Sequence, residues 1–315
     1  MRLIEGFIMT IKHEKRKPAG FYPSIFQIFL SMLWGGNHTS IKVALDYSPP
    51  LQIGWMRFVS GGLVTVIYMC FKRESFVIKS AEVFPLTLIG ILFSVQIVFM
   101  NYGQYLTTAG HATALNATFP IWAACLSHFL VPNDLMTRYK LLAIILSYLG
   151  VLSIVFLDTG LVTPGISLSG DLLSITSAAL LGLRLVLTSN FAQNMSEVKL
   201  MLGQLIMGTI VFLIASQLIE TTQFSYELNY WIAIFYQGSV IAGFGFLANA
   251  WLMKRYLPST ITFFSFIQPL SGVTVAWLIL GENPGRGLIV GLILIVIGAI
   301  IFSGESYYRS TRIFK

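Results

Sequence analysis

The sequence predicts an all-α membrane protein of ten transmembrane helices, arranged as two five-helix repeats of inverted topology. Three observations predict it. Hydrophobic residues make up 56% of the 315 residues and charged residues only 10%, with a mean hydropathy of +0.77. That is too little polar surface to keep a chain of this size in water. Apolar segments of about 20 residues, each enough to cross a ~30 Å hydrocarbon core, recur from end to end. A proline-bearing stretch, "ALNATFPIWAACL" around Pro120, returns in kind as "TFFSFIQPLSGVTVA" around Pro269, 149 residues on.

Taken in order, the apolar runs fall at about 24–45, 51–71, 83–106, 110–131, 138–157, 170–191, 199–219, 229–253, 259–280 and 286–303. The first is too long for the short apolar core of a cleavable signal peptide and is expected to be a retained helix. Chain breakers separate the runs: Ser48-Pro49-Pro50, Pro132-Asn133-Asp134, Thr163-Pro164-Gly165 and Asn283-Pro284-Gly285. The expected organisation is a basic tail over 1–23, a first repeat over 24–157, a connecting loop over 158–169, a second repeat over 170–304 and a tail over 305–315. No loop is long enough for a separate soluble domain.

Orientation follows from Lys and Arg. With the N-terminus inside, the inner segments hold sixteen of the twenty, including Lys15, Arg16, Lys17, Lys72, Arg73, Lys79, Arg138, Lys140, Lys199, Lys254 and Arg255. The outer loops keep Arg286 alone, and Lys42, Arg57 and Arg184 lie within spans. Such a bias places both termini in the cytoplasm of a multi-pass protein of the cell (inner) membrane. The net charge of +7 is thereby spent on span ends, and no nucleic-acid partner is expected. Cys70 and Cys125 fall inside apolar runs and read as small buried hydrophobes, with no disulfide, metal or cofactor role.

Sliding the first block onto the second by 149 residues places Pro120 on Pro269, Asn116 on Ser265 and Trp122 on Ser271. Helix 1 meets helix 6 with a slip of two, so that Trp34-Gly35 lies on Leu181-Gly182 and Asn37 on Arg184. Five spans per block is an odd number, so the second block enters the membrane upside down. Inverted repeats with broken helices at matching positions mark secondary transporters, whose site lies near the midplane between the halves. Each proline is expected to free the carbonyl four residues earlier, on Asn116 and Ser265, towards protein partners or a wet cavity.

The candidate substrate-binding residues are Trp34, Asn37, His38, Tyr102, Asn116, Phe119, Pro120, Arg184, Gln268 and Pro269. Arg184 lies deep in helix 6, where its charge costs at least ~2.5–3.5 kcal/mol on insertion scales. It reads as a cationic anchor for a carboxylate or phosphate, or as an Arg reaching for the inner surface. Lys42 and Arg57 read as residues capping carbonyls or reaching headgroups. No Asp or Glu lies deep in a span, with Asp171 and Glu282 at outer ends. Only His38, His111 and His128 are therefore left to titrate, with His38 the best placed. Tyr102 and Tyr105 fit either an interfacial belt or a cavity wall. On helix 10, Gly287, Gly291 and Gly298 make a close-packing face for helix 5 or for a second protomer, so a homodimer is open. "GFGFLA" at 243–248 fits a dinucleotide loop in letters only, being mid-span with no preceding strand.

The motifs resemble the drug/metabolite transporter superfamily and, within it, the ten-helix EamA family, over nearly the whole chain from 24 to 304. The carriers are "LWGGNHTSIKVAL", "PPLQIGWMRF", "TTAGHATALNATFPIW" and "FSFIQPLSGVTVAWLILGE", in this order. The resemblance implies export or exchange of amino acids, nucleosides or other small metabolites through a central cavity lined by helices 1, 3, 4, 6, 8 and 9. The expected function is carriage of a small polar, zwitterionic or anionic metabolite by alternating access, with the lipid bilayer as solvent. A lipid-modifying membrane enzyme or a channel is the alternative; neither a converging acid–base cluster nor a pore-lining charge ring is present in the sequence.

Overall fold

A computed structural model describes residues 20–130, 137–158, 165–221, 225, 227–256, 265 and 267–313. The breakers at 132–134 and 163–164, the basic N-terminal tail and the side chain of His128 lie outside the described residues. Among the described residues, ten helices stand where the ten apolar runs fall: α1 (Phe21–Leu45), α2 (Pro50–Lys72), α3 (Ser80–Leu106), α4, α5 (Arg138–Asp158), α6 (Leu168–Phe191), α7 (Glu197–Ile219), α8, α9 (Ile267–Leu280) and α10 (Arg286–Ile313). Two are interrupted. α4 is split into α4a (Ala109–Asn116) and α4b (Phe119–Leu130), and α8 runs as α8a (Leu228–Phe235), a π-helix (Tyr236–Gly245) and α8b (Phe246–Arg255). Five of the described helices, α2, α3, α6, α7 and the Leu228–Leu252 part of α8, are long and apolar enough to cross a bilayer by length and composition. Ile267–Leu280 and Arg286–Ile301 are shorter apolar helices.

Local chemistry sets the helix ends. Pro50 opens α2 at the first helical position, where a missing N–H costs nothing. Glu82 reaches back to the Lys79 N–H at 2.9 Å to start α3, and Ser167 and Ser196 accept backbone N–H groups at the starts of α6 and α7. Arg73 closes α2 in the left-handed region at φ 53°.

The inverted duplication is visible in how equivalent helices meet. α2 lies against its counterpart α7, with each acidic C-terminal end at the other's N-terminus. The Glu220 carboxylate accepts from Leu51 N at 2.6 Å and Gln52 N at 2.9 Å; Glu74 accepts from Ser196, the cap of α7. Such contacts are possible only if the two helices run antiparallel. α9 repeats the arrangement on its counterpart α4, where Glu282 accepts from Ala109 N and Gly110 N at 2.9 Å each. α5 and α10 also run antiparallel, with Gly150 on Gly291 and Ile295, and Gly298 on Ser147 and Ala143. The small-residue face of α10 is therefore spent on α5. In lipid there is little hydrophobic drive between helices, so close backbone approach through small residues supplies the cohesion.

α1, α2, α3, α7 and α8 share a core around Ile41, Phe58, Phe93, Ile97 and Phe212. The Phe58 ring lies 4.8 Å from Phe93 and 5.2 Å from Phe212, the latter edge-on. The outside is apolar: Phe29, Leu63, Phe84, Leu218 and Leu278 are all exposed, as lipid-facing residues are. Two expectations are corrected. Arg57 does not reach a headgroup; it is buried and lies over the Phe58 ring at 5.1 Å. Cys70 is exposed rather than buried, and both cysteines are free thiols.

Candidate substrate-binding site

Arg184 lies in the second half of α6 and is buried. Its guanidinium carbon stands 5.0 Å from the centre of the Phe93 ring and 5.9 Å from that of Phe246. One amino group donates to Gln204 Oε1 of α7 at 2.6 Å, and Nε has no hydrogen-bond partner among the described residues. Among the described residues no carboxylate forms an ion pair with it. The magnitudes decide that the charge can stay. A cation over a desolvated ring gains up to about 2 kcal/mol, and a hydrogen bond to a charged group about 1.5–3 kcal/mol, together offsetting the insertion cost. What remains is a buried positive charge with donor capacity to spare, which is what an anion receptor needs. The Arg184 side chain is thus turned to the interior and does not reach the inner surface.

A second polar group sits higher on α6. Gln96 of α3 and Asn116, the last residue of α4a, both place their amide nitrogens on Ser177 Oγ, at 3.1 and 3.3 Å. All three are buried, and Gln96 Oε1 is without a partner among the described residues. Ser177 and Arg184 are seven residues apart, two helical turns on one face, a rise of about 10 Å. Asn116 holds this place because α4 breaks directly after it. The break is at Ala117-Thr118, where Thr118 Oγ1 bonds to Leu115 O at 2.7 Å and Ile121 N turns back to Thr118 O at 2.9 Å. Pro120 is the second residue of the new helix, so it starts α4b rather than kinking a continuous one. Pro269 occupies the third position of α9, and Phe266 lies outside the described residues.

The other predicted residues fall in three places. Trp34 is half-buried with its ring 6.5 Å from Phe246, which joins it to Arg184 through a shared wall. Asn37 and His38, one turn further along α1, are buried; among the described residues Asn37 Oδ1 and His38 Nδ1 have no partner, and the His38 carbonyl accepts from Gln104 at 2.8 Å. Gln268, Pro269, Phe119 and Pro120 line helix seams: the Gln268 carbonyl lies against Gly35, and the Phe119 carbonyl against Gly182. Tyr102 packs on the aromatic core, as do Leu45 and Trp55; Tyr105 is exposed.

Sequence reasoning missed four residues and one element. Phe93, Phe246, Gln204 and Gln96 carry no motif and are found only by folding the chain. The π-helix is rare in proteins and gathers at functional sites; its one sequence trace is the cluster Gly238, Gly243, Gly245. Lys42 was read correctly as a carbonyl cap, donating to Gln104 O at 3.0 Å and Thr107 O at 2.8 Å. Asp171 stands in the first turn of α6, at the helix end where the sequence put it, and there it is fully buried and bonds to His111, with Nδ1 at 3.1 Å from Oδ2.

The description "EamA-like transporter family" matches residues 23–156 and again 168–304. The chain belongs to the EamA-like transporter family. The two matched stretches are the two halves whose equivalent helices pack antiparallel, so this EamA chain is an embedded membrane protein of duplicated design. "Uncharacterized transporter YoaV" of Bacillus subtilis (strain 168) is 22% identical, covering 86% of this chain and 93% of that one. "Probable amino-acid metabolite efflux pump" of Salmonella typhimurium is also 22% identical, covering 87% and 92%. A solved structure superposes with a TM-score of 0.67 at 18% identity, over 89% of this chain and 96% of the other, a likeness of fold. The family and the relatives' names are those of transporters rather than enzymes.

Proposed function

We propose that this protein carries a small zwitterionic or anionic metabolite, of which an amino acid is the first choice, by alternating access across the cell (inner) membrane. Its termini lie in the cytoplasm, as the Lys and Arg bias requires. The observation that carries the reading is Arg184: a buried guanidinium held between two rings, with an unspent Nε and no described carboxylate to neutralise it. A carboxylate on the substrate completes that pair, while Gln96 Oε1 and the Ser177–Asn116 pair offer polar contacts two turns away. The relative named for amino-acid metabolite efflux supports the same class.

The test is counterflow in proteoliposomes with a panel of labelled amino acids and small carboxylates. Saturable exchange of at least one member, falling about 30-fold or more in Arg184→Ala at equal membrane content, supports the reading; truncating one partner of a buried charge pair costs about 2–5 kcal/mol. Full exchange in the variant, or a non-saturating current in place of exchange, overturns it.

A further inference from the structure

Arg57 is a second buried guanidinium, placed on α2 as Arg184 is on α6. Its central carbon lies 5.1 Å from the centre of the Phe58 ring, and Nε has no hydrogen-bond partner among the described residues. The α2 backbone is seated here on the π-helix of α8. A Cβ on Gly238 would lie 2.6 Å from Arg57 O, and the Ser60 and Ser239 hydroxyls, one turn on, are 2.7 Å apart. Backbone contact thus holds Arg57 at this depth.

The two cations share one aromatic seam. Phe58 lies against Phe93, and Phe93 carries Arg184. Contacts of 5.1, 4.8 and 5.0 Å in series hold the two guanidinium carbons no more than about 15 Å apart. Along the seam the order is cation, ring, ring, cation.

A buried charge is costly until an opposite charge meets it. The carboxylates at the span ends are engaged elsewhere. Glu220 and Glu282 accept from backbone N–H groups of α2 and α4a, and Asp171 accepts from Thr107. At the other end of the bundle Glu74, Glu82 and Glu197 hold Ser196, Lys199 and Lys254. Among the described residues no ion pair reaches Arg57 or Arg184. The rings offset part of the cost of each cation; the substrate is the source left for the remainder.

We propose that Arg57 is a second anion subsite of the site built around Arg184, and that the substrate is a dicarboxylate, acidic amino acids included, with one carboxylate on each guanidinium. The inference rests on the carrier reading for Arg184 and adds a second charge to it. A bidentate guanidinium–carboxylate pair, with N–O separations of about 2.8 Å, takes up about 4 Å between its two carbons. At most about 7 Å is left between the two carboxyl carbons, the reach of an extended chain of about six carbons in all. The Phe58 and Phe93 rings suit the methylenes of such a chain, whereas a compact dianion would bring both charges to one point.

The test is calorimetric binding to the purified full chain at neutral pH. It compares glutarate with valerate and L-glutamate with L-norvaline, with inorganic phosphate as the compact anion. The expected result is a diacid bound about 30-fold or more tightly than its monoacid partner, the usual loss when one member of a buried charge pair is missing. In Arg57→Gln the two affinities should converge, with the monoacid still bound. Equal affinities in the parent, no binding of either diacid, phosphate bound more tightly than the diacids, or a preference that survives in Arg57→Gln each overturns the second subsite. The comparison within the parent decides the matter even where Arg57→Gln does not fold. Counterflow in proteoliposomes separates the two ideas. Exchange of monoacids and diacids alike removes the subsite alone; diacid binding that needs Arg57 but gives no exchange removes the carrier reading and leaves the subsite standing.

Discussion

Gly35 and Gly182 meet the same three stations of their partner helices. A Cβ on Gly35 would lie 2.7 Å from both Gln268 O and Gly272 N, with the Ser271 side chain closer still; on Gly182 it would lie 3.0 Å from Phe119 O, 2.7 Å from Ala123 N and 2.9 Å from the Trp122 side chain. Residues 268, 271 and 272 are 119, 122 and 123 displaced by 149. Here α1 touches α9 and α6 touches α4b through backbone, and neither seam can admit a methyl group without moving a helix. Gly35→Ala and Gly182→Ala are therefore each expected to destabilise the purified protein by about 1–3 kcal/mol, the usual cost of overpacking. Thermal unfolding in detergent checks it, and a variant melting with the parent would show that the seams are looser than described.

Arg184 separates charge from shape. Lysine keeps the positive charge but lacks the planar group that stacks between Phe93 and Phe246 while bonding to Gln204. Arg184→Lys is expected to retain weak exchange, between parent and Arg184→Ala, with the loss mainly in apparent affinity. Concentration-dependent counterflow reads the split; a lysine variant equal to the parent would mean that a bare point charge suffices.

Glu220 and Glu282 perform equivalent work on α2 and α4a. Each gives both carboxylate oxygens to two successive backbone N–H groups. A glutamine can accept with one oxygen only and carries no charge towards the helix N-terminus. Glu282→Gln is expected to cost about 1–2 kcal/mol locally, by analogy with lost caps. Hydrogen exchange should speed up at the amides of Ala109–Ala112 while those of α2 stay protected, and Glu220→Gln should show the reverse.

Gly291 offers a test of what the small-residue face of α10 is for. It packs on Gly150 and Ile154 within the same chain. Gly291→Leu is expected to lower the melting temperature without changing the molar mass measured by light scattering. A change of mass at an unchanged melting point would assign the face to contact between copies.

How much of this was legible in the residues varies with the length scale of the signal. The ten runs and the inverted duplication were readable, because hydropathy fixes spans and an odd number of spans fixes the inversion. The Gly35–Gly182 and Pro120–Pro269 correspondences were readable from spacing. Pro120 was expected to break its helix, and the break stands just before it, at Ala117-Thr118, with the proline in the first turn of the new half-helix. A proline's own geometry fits both roles, and neighbours decide between them. Arg184 could be named, but its ring walls come from α3 and α8, about 60 to 90 residues away in the sequence. His111 was kept as one of three candidate histidines and Asp171 as an outer-end acid; only the fold makes them a pair.

The π-helix of Tyr236–Gly245 turns fewer degrees per residue than the α-helix on either side of it. Its ten residues therefore set the azimuth at which Phe246 emerges, and with it one wall of the Arg184 guanidinium. Deleting a single residue from that wide coil would swing the ring off the cation while leaving every nearby side chain chemically intact. The place of that wall is thus set by the winding of Tyr236–Gly245 rather than by the identity of any residue beside the cation.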